Sequence, residues 1–244
     1  MKFYRYFLDG VPWYLAQHYW WAYLWRISVW FFDHQPIINT ILFGQYNKLM
    51  NATMERLKDA PLHRTLQLTC VYGSLTPNLI SQLSTPLHLT DVATVQLELA
   101  RSKSTDDSEL LVTRMNAESL GYKDNAFSTT VLFFLLHEMP VEARRNTLSE
   151  TIRTLAPSGT LLITEYGPTP TSHWLYRFPP FRWLLTTFEP FLDSFWHDNL
   201  PALLDEMAAL HGKSVHQIWT KHIFSGFYVV TEFKVSSIQQ AKPG

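Results

Sequence analysis

Cysteine, charged residues and long apolar runs are all scarce in this chain of 244 residues. Its one cysteine excludes a disulfide framework and a metal cluster held by several thiolates. Lysine and arginine number 20 against 21 acidic residues, and this formal charge of −1 gives no electrostatic basis for nucleic-acid binding. The longest aromatic run, residues 19–32, is shorter than the ~20 apolar residues that span a bilayer. We therefore expect a protein that neither crosses a membrane nor binds nucleic acid.

Aromatic side chains are abundant by contrast, with 9 Trp, 11 Tyr and 16 Phe, whereas charged residues make up only 17% of the chain. An ordinary soluble domain has roughly 25% charged residues. Most of the tryptophans lie in two segments, residues 11–32 and 173–196. The first predicts one long helix that is apolar nearly all round, either packed on the core or lying in an apolar medium. The prolines of the second predict several short helices. Another helix is predicted over residues 36–59.

Between the aromatic segments, strand-like stretches alternate with helical ones. The predicted strands are residues 66–72, 87–91, 109–115, 129–136 and 160–165. The fourth, TTVLFFLL, is apolar on both faces, as expected for a strand inside a parallel sheet. Residues 215–221 and 224–234 predict an antiparallel hairpin joined around His222. This order predicts an α/β fold with a doubly wound, mostly parallel sheet and a terminal antiparallel hairpin.

Polar residues follow the predicted strands at the edge of the sheet where such folds bind ligands. Asp91 ends the second strand about twenty residues after the first, where a carboxylate accepts hydrogen bonds from a ribose diol. An aspartate that caps the next helix is an equally common interpretation. The closing hairpin favours the class I S-adenosylmethionine (SAM) methyltransferase-like fold over a dinucleotide fold. The expected cofactor contacts are Gln67, Tyr72, Gly73, Ser74, Asp91, Val92, Asn116, Ala117 and Phe134.

The domain organisation follows from these elements. Residues 1–60 are expected to contribute helices to an aromatic cap, and residues 61–235 to form the SAM-binding, Rossmann-like domain. Residues 168–212 are an aromatic cap insertion in that domain, and residues 236–244 a tail. Arg144 and Arg145 are predicted to lie on a solvated helix face.

Five segments carry a specific resemblance to a known family. They are HYWWAY (residues 18–23), LFGQY (42–46), CVYGSLTP (70–77), FFLLHE (133–138) and LITEY (162–166). Over residues 11–235 the chain resembles the rhodoquinone biosynthesis proteins, a divergent branch related to the ubiquinone and menaquinone C-methyltransferases. The resemblance implies replacement of a methoxy group of ubiquinone by an amino group, with SAM as amino donor and a requirement for Mn²⁺.

The departure from the usual cofactor loop suggests why methyl transfer would be lost. Gln67 stands where the methyltransferases have an acidic residue, and Cys70 and Val71 stand at two glycine positions, so that Gly73 alone remains. A neutral glutamine does not favour a protonated amine as a carboxylate would. We hypothesise that the amine of the cofactor is thereby free to deprotonate and attack the quinone ring.

His137 and Glu138 are the expected catalytic residues and metal ligands, with Glu165 as a further ligand. Manganese prefers oxygen ligands together with some imidazole. The competing interpretation is a histidine that caps a helix and a glutamate in its first turn. Tyr72 is also expected in the catalytic site, where positioning of the substrate suits it better than base catalysis, because a base would need a lowered pKa.

A polyprenyl quinone is the expected substrate, and the two aromatic segments are predicted to cover it and to touch a membrane surface. The expected substrate contacts are His18, Tyr19, Trp21, Tyr46 and Tyr166. The N-terminal MKFYRYFLDG does not resemble a secretion or import signal, so we expect a reducing compartment. The expected location is the inner face of a bacterial cytoplasmic membrane, or the mitochondrial inner membrane. A conventional SAM-dependent methyltransferase acting on a lipophilic quinone or phenol is the alternative, and a catalytically inactive scaffold is a third possibility.

Overall fold

The computed structural model describes residues 10–104, 106, 108–168 and 173–238. A seven-stranded sheet lies at its centre. The strands are β1 (Thr65–Leu68), β2 (Leu87–Asp91), β3 (Leu110–Arg114), β4 (Phe127–Phe133), β5 (Leu155–Tyr166), β6 (Lys213–Ile223) and β7 (Tyr228–Ser237). They lie in the order β3-β2-β1-β4-β5-β7-β6. Strands β1 to β5 are parallel, and β7 is antiparallel to both β5 and β6.

The order of the strands reverses between β1 and β4, which opens a crevice at their carboxyl ends. Both strands are covered on both faces, so Leu66, Val131 and Leu132 have no exposed surface. This burial explains why apolar residues run through β4 without alternation.

Helices cover the sheet and the crevice. They are α1 (Trp20–Tyr23), α2 (Arg26–Phe32), α3 (Gln35–Ile41), α4 (Tyr46–Leu57), α5 (Leu75–Gln82), α6 (Thr94–Ser102), α7 (Val141–Thr154), α8 (Trp174–Arg177), α9 (Pro179–Phe188), α10 (Leu192–His197) and α11 (Leu200–Ala209). A π-helix, Leu15–Tyr19, precedes α1, and a 3₁₀ turn, Leu136–Glu138, follows β4. Within the described ranges, no helix has both the length and the apolar character that crossing a bilayer requires.

Helices α1–α3 and α8–α10 pack together and form what we call the cap. The rings of Trp21 and Phe188 lie 6.1 Å apart, and those of Phe43 and Phe181 lie 5.4 Å apart. Segments distant in sequence therefore join above the carboxyl ends of the strands.

Three sequence predictions about local structure are wrong. The first long helix breaks at Trp25, whose backbone is extended, and the second breaks at Phe43 and Gly44, which have positive φ. Phe43 packs against Phe181 and Phe224, and these tertiary contacts outweigh its helical periodicity. The hairpin turns at residues 224–227 rather than at His222, which pairs with Val229 inside the sheet.

Candidate functional site

Two cavities meet at the carboxyl ends of the parallel strands. The first cavity is lined by the predicted cofactor residues Asp91, Val92, Asn116, Ala117 and Phe134. The second cavity lies under the cap and is lined by aromatic rings and acidic residues. Four residues line both cavities, namely Tyr23, Cys70, Phe134 and Glu138. Molecules bound in the two cavities would therefore contact the same four residues.

Asp91 is held at the end of β2 by backbone donors. Its Oδ2 accepts a hydrogen bond from the Cys70 N–H at 2.9 Å, and its Oδ1 accepts one from the Ala93 N–H at 2.8 Å. Burial raises the pKa of Asp91 to about 6, although these backbone hydrogen bonds oppose that rise. Each carboxylate oxygen can accept a second hydrogen bond, so Asp91 can receive a diol from the first cavity.

Gln67 supports the loop after β1 and does not line either cavity. Its amide donates to the Thr69 carbonyl at 3.0 Å, and its carbonyl accepts from the Thr76 hydroxyl at 3.0 Å. We expected Gln67 to contact the cofactor directly. Instead, the nitrogen and the oxygen of its amide are both hydrogen-bonded within the protein, so Gln67 acts by holding the loop in place. The left-handed backbone of the loop falls on Thr69 (φ 75°) and Gly73 (φ 80°), rather than on Cys70 and Val71. A β-branched residue in this region is strained.

Gly73 and Ser74 also lie behind the cavity wall. A Cβ on Gly73 would stand 2.7 Å from the hydroxyl oxygen of Tyr46, so this position admits only glycine without movement. Tyr46 donates to the Tyr72 carbonyl and accepts from the Leu75 N–H, each at 3.0 Å. Ser74 hydrogen-bonds to the sulfur of Met50 at 3.3 Å. Both residues therefore shape the loop instead of meeting a cofactor directly.

The cap fastens this loop through Asp33 and Lys103. The Gly73 N–H donates to Asp33 Oδ1 at 2.9 Å, Lys103 Nζ donates to the Gly73 carbonyl at 2.8 Å, and Lys103 is also paired with Asp33. The carboxylate of Asp33 thus accepts the backbone N–H of Gly73 in the loop after β1. The sequence analysis did not predict this contact.

His137 lies buried at the end of β4, and Glu165 orients its ring. Glu165 accepts from the Leu136 N–H at 2.6 Å and from His137 Nδ1 at 2.8 Å, so both of its oxygens are engaged. Burial lowers the pKa of His137, but the carboxylates of Glu165, Glu189 and Glu138 outweigh burial and raise that pKa to about 9. Glu165 is therefore a positioning residue rather than the metal ligand that we predicted, and Nε2 of His137 points toward Glu189, 3.9 Å away.

Arg144 holds the turn that carries His137 and Glu138. It is fully buried, and its guanidinium donates to the carbonyls of Leu136 (3.0 Å) and Met139 (2.9 Å) and pairs with Asp198. The prediction of a solvated arginine pair is therefore wrong for Arg144. Arg145 pairs with Glu206 at the surface.

Glu189 completes an acidic group at the wall shared by the cavities. Ligand atoms of His137, Glu138 and Glu189 lie within 4.8 Å of one another. Burial raises the pKa of Glu138 to about 8 and also raises that of Glu189. The Tyr23 hydroxyl donates to Glu138, and the Tyr19 hydroxyl donates to Glu189 at 2.9 Å.

This group fits a divalent cation such as Mn²⁺. One imidazole and two carboxylates form a donor set that manganese accepts, and a cation would offset the repulsion between two partly desolvated carboxylates. The histidine has the outer carboxylate partner that metal-bound histidines commonly have. His137, Glu138 and Glu189 are the residues that would hold the ion.

The tyrosines of the second cavity surround this group. Tyr46, Tyr72 and Tyr166 line it, the rings of Tyr23 and Tyr72 are stacked 5.8 Å apart, and that of Tyr166 lies 4.8 Å from the ring of His137. Burial raises the pKa of Tyr72 above its ordinary value, which agrees with a positioning role and opposes base catalysis.

The other predicted substrate residues do not line either cavity. His18 packs its ring 5.4 Å from that of Phe191, and Trp21 donates to the His18 carbonyl at 2.9 Å, so both belong to the frame of the cap. Tyr19 contacts residues of the site, since its hydroxyl donates to Glu189 and its ring lies 6.0 Å from that of Tyr23.

Sequence reasoning missed Tyr23 and Glu189. The sequence indicates both residues only weakly. Tyr23 is one of many aromatic residues in its segment, and Glu189 is a single carboxylate before a proline at the end of an apolar helix.

The strand order and the closing antiparallel hairpin are those of the class I SAM-methyltransferase-like fold. Residues 65–159 match the family model of the methyltransferase domain. This match covers the strands that build the first cavity and leaves out the cap.

Among relatives, the chain is 28% identical over 138 residues to the demethylmenaquinone methyltransferase of Lactiplantibacillus plantarum. That alignment covers 54% of this chain and 57% of the relative, so the chain spans little more than half the length of the curated relative that it matches.

Solved structures share the fold at low identity. The N-methyltransferase NodS of Bradyrhizobium japonicum has a TM-score of 0.56 and 14% identity, covering 79% of this chain and 99% of its own. A SAM-dependent methyltransferase of Methanosarcina mazei has a TM-score of 0.51 and 14% identity, covering 72% of this chain and 93% of its own.

Proposed function

We propose that this protein is a SAM-using enzyme that replaces a ring methoxy group of a lipophilic quinone with an amino group, converting ubiquinone to rhodoquinone. SAM is the amino donor in this proposal, and Mn²⁺ is the metal. The observation that carries the proposal is the group His137, Glu138 and Glu189 at the wall shared by the two cavities.

The first cavity suits SAM. Asp91 can accept the ribose hydroxyls, and Asn116 and Phe134 line the cavity alongside it. The methyltransferase-domain match to residues 65–159 supports the same assignment, because this segment contains β1, β2 and β4.

The second cavity suits a flat quinone ring. Four tyrosines and two phenylalanines are among its lining residues, together with Ile38 and Leu42 from the side of the cap. The name of the Lactiplantibacillus relative, a demethylmenaquinone methyltransferase, supports an acceptor of the quinone class.

The group of His137, Glu138 and Glu189 lies beside the wall shared by the two cavities, where the reacting molecules would meet. When bound, Mn²⁺ would supply a Lewis acid that polarises a carbonyl oxygen of the ring. Glu165 holds His137 in one orientation, Tyr23 orients Glu138, and Tyr19 orients Glu189. The cap reaches this point with Tyr23 at the end of α1 and with Glu189, which directly follows α9.

The loop after β1 supports nitrogen rather than methyl transfer. Its neutral Gln67 is committed to Thr69 and Thr76, so it offers no carboxylate that would hold an ammonium group in its charged form. In the balanced reaction, a ring C–N bond forms, the ring C–O bond breaks and methanol leaves. The ring then accepts two electrons from the donor's α-carbon and becomes a hydroquinone, and water hydrolyses the resulting imine to a 2-oxo acid and an aminohydroquinone. Dioxygen, as the two-electron oxidant, returns this aminohydroquinone to the aminoquinone.

Mass spectrometry of the product tests the proposal. The full chain is incubated with SAM, Mn²⁺ and a short-chain ubiquinone, with SAM labelled by ¹⁵N at its amine and by ¹³C at its methyl group. We expect ¹⁵N in an aminoquinone that has lost one methoxy group. Ubiquinone has no free ring carbon for a methyl group, so a parallel incubation contains a short-chain demethylmenaquinone, whose ring has one. Transfer of ¹³C to that ring, with no ¹⁵N-labelled product from ubiquinone, would overturn amination.

A conventional methyltransferase is the second candidate, and the family match and the demethylmenaquinone methyltransferase relative favour it. It predicts transfer of the ¹³C label and release of S-adenosylhomocysteine. The paired incubations with ubiquinone and with demethylmenaquinone therefore separate the two functions.

A further inference from the structure

Helices α2 and α9 carry large apolar side chains that remain largely exposed in the described part of the chain. We call Trp30, Phe31, Trp183, Leu184 and Phe188 the aromatic face. Trp30 is 63% exposed and Trp183 67% exposed, and the other three residues are 43–55% exposed. Helix α9 has no buried residue along its ten positions. A helix that is apolar and uncovered on this scale marks a binding surface rather than ordinary surface variation.

The two helices form one continuous surface. The ring of Phe31 lies 5.3 Å from that of Phe32, Phe32 lies 5.7 Å from Trp21, and Trp21 lies 6.1 Å from Phe188. This series of ring contacts begins and ends on exposed residues of the aromatic face. The face therefore extends across the junction between the N-terminal helices and the α8–α10 segment.

The charged residues within helices α2, α8 and α9 are all basic. Helices α2, α8 and α9 contain Arg26, Arg177 and Arg182 and no aspartate or glutamate, although the whole chain has a formal charge of −1. Arg26 is paired with Glu98 of α6 but stays 77% exposed, and Arg182 lies over the ring of Tyr176. Helices that lie in the headgroup region of an anionic bilayer combine basic residues with exposed tryptophans in this way.

The aromatic face also adjoins the second cavity. Glu189, which lines that cavity, directly follows α9, and Ile38, which also lines it, belongs to α3, the helix that follows α2. A lipophilic molecule that enters from this side would pass from the aromatic face to the cavity.

We propose that the aromatic face docks into the headgroup region of a membrane that contains anionic phospholipids. Tryptophan rings favour this region because one end of the side chain is apolar and the other can hydrogen-bond. A second copy of the chain is a poorer occupant, because a two-fold contact would bring the arginines of both copies together. The proposal goes beyond the proposed chemistry and does not depend on it.

Vesicle co-sedimentation of the full chain tests the proposal without SAM or quinone. Vesicles of phosphatidylcholine alone are compared with vesicles that also contain phosphatidylglycerol. We expect preferential binding to the anionic vesicles. The double variant Trp30→Ser/Trp183→Ser should lower the affinity by roughly tenfold or more, and Arg177→Glu/Arg182→Glu should remove the preference for phosphatidylglycerol.

The matched control is Leu210→Ser/Ile218→Ser, which removes apolar side chains that are 68% and 48% exposed outside the aromatic face. It should bind vesicles like the parent, and circular dichroism checks that every variant is folded. The proposal would be overturned if the parent protein did not sediment with either kind of vesicle. It would also be overturned if the control variant lost as much vesicle affinity as the double tryptophan variant. Self-association that only the tryptophan variant abolishes, with no vesicle binding by the parent, would assign the face to a second copy instead.

Discussion

The sheet and the cap contribute to the site in different ways. The sheet supplies Asp91, His137 and Glu138 at the ends of its strands, each fixed by backbone hydrogen bonds or by a buried partner. The cap supplies Tyr23 and Glu189, which reach the same place from helices that are half-exposed and rich in aromatic rings. The sheet therefore provides the part of the site that belongs to the general fold, whereas the cap adds the side chains that complete the acidic group.

The largest expected effect is at Glu138, where the sheet meets the cap. Glu138→Gln should lower the rate of product formation by about 100-fold or more, because it removes a carboxylate that touches both cavities and accepts from Tyr23. Turnover is measured by mass spectrometry of the quinone product. Glu142→Gln, on an exposed position of α7, is the control and should keep the parent rate. Equal rates for Glu138→Gln and the parent would place the chemistry elsewhere.

A smaller effect is expected at Glu165, which belongs to the sheet alone. Glu165→Gln should reduce turnover by about 10- to 100-fold, because His137 loses the charged partner that orients its ring. SAM affinity, measured by calorimetry, should change little, because Glu165 does not line the first cavity. A loss of SAM binding equal to the loss of turnover would show a general structural defect instead.

The pH dependence of SAM binding tests the sheet side of the site. Burial raises the pKa of Asp91 from 3.8 to about 6, and a ribose diol needs the ionised carboxylate as acceptor. SAM affinity should therefore decrease as the pH falls below 6, by up to about tenfold per pH unit. Asp91→Asn should bind SAM weakly at every pH and lose this dependence. An affinity for SAM that is constant from pH 7 to pH 5 in the parent would contradict the role of Asp91.

Protein stability should depend on pH in the opposite sense. Between pH 3.8 and about 6 the folded chain keeps the proton on Asp91 that the unfolded chain has released. The contribution of Asp91 to stability is therefore greatest below this window, decreases as the pH rises through it and is constant above it. Comparing denaturation of the parent and Asp91→Asn across this window checks the sign.

The smallest effect concerns the loop that the cap fastens. Gly73→Ala should destabilise the protein by about 1–3 kcal/mol, because φ is 80° and the new Cβ would meet the Tyr46 hydroxyl. Gly121→Ala is the matched control, since its nearest neighbour would be Met115 Cε at 3.6 Å, and we expect a change within about 0.5 kcal/mol. Chemical denaturation measures both values. Equal stability of the two variants would show that the loop is not constrained.

The sequence predicted the sheet better than the cap for a physical reason. The strand β4 is buried on both faces and forms a nearly continuous apolar run, so the position of His137 just beyond it could be predicted. The shorter strands β2 and β3 were recognised from short strand-like stretches that precede Asp91 and Asn116. The cap is held by contacts between distant segments, such as Phe43 with Phe181, which leave no periodic signal. Glu189 was therefore missed, and Glu165 took its place among the predicted ligands.

Manganese binding by the full chain tests most directly whether the cap and the sheet build one site. The free Mn²⁺ signal is followed by electron paramagnetic resonance as protein is added, for the parent, Glu189→Gln and Asp193→Asn. Asp193 is a half-exposed carboxylate on the neighbouring helix α10 and serves as the control. We expect the parent and Asp193→Asn to bind one ion with equal affinity, and Glu189→Gln to bind it at least about tenfold more weakly. Equal affinity of Glu189→Gln and the parent would contradict the account.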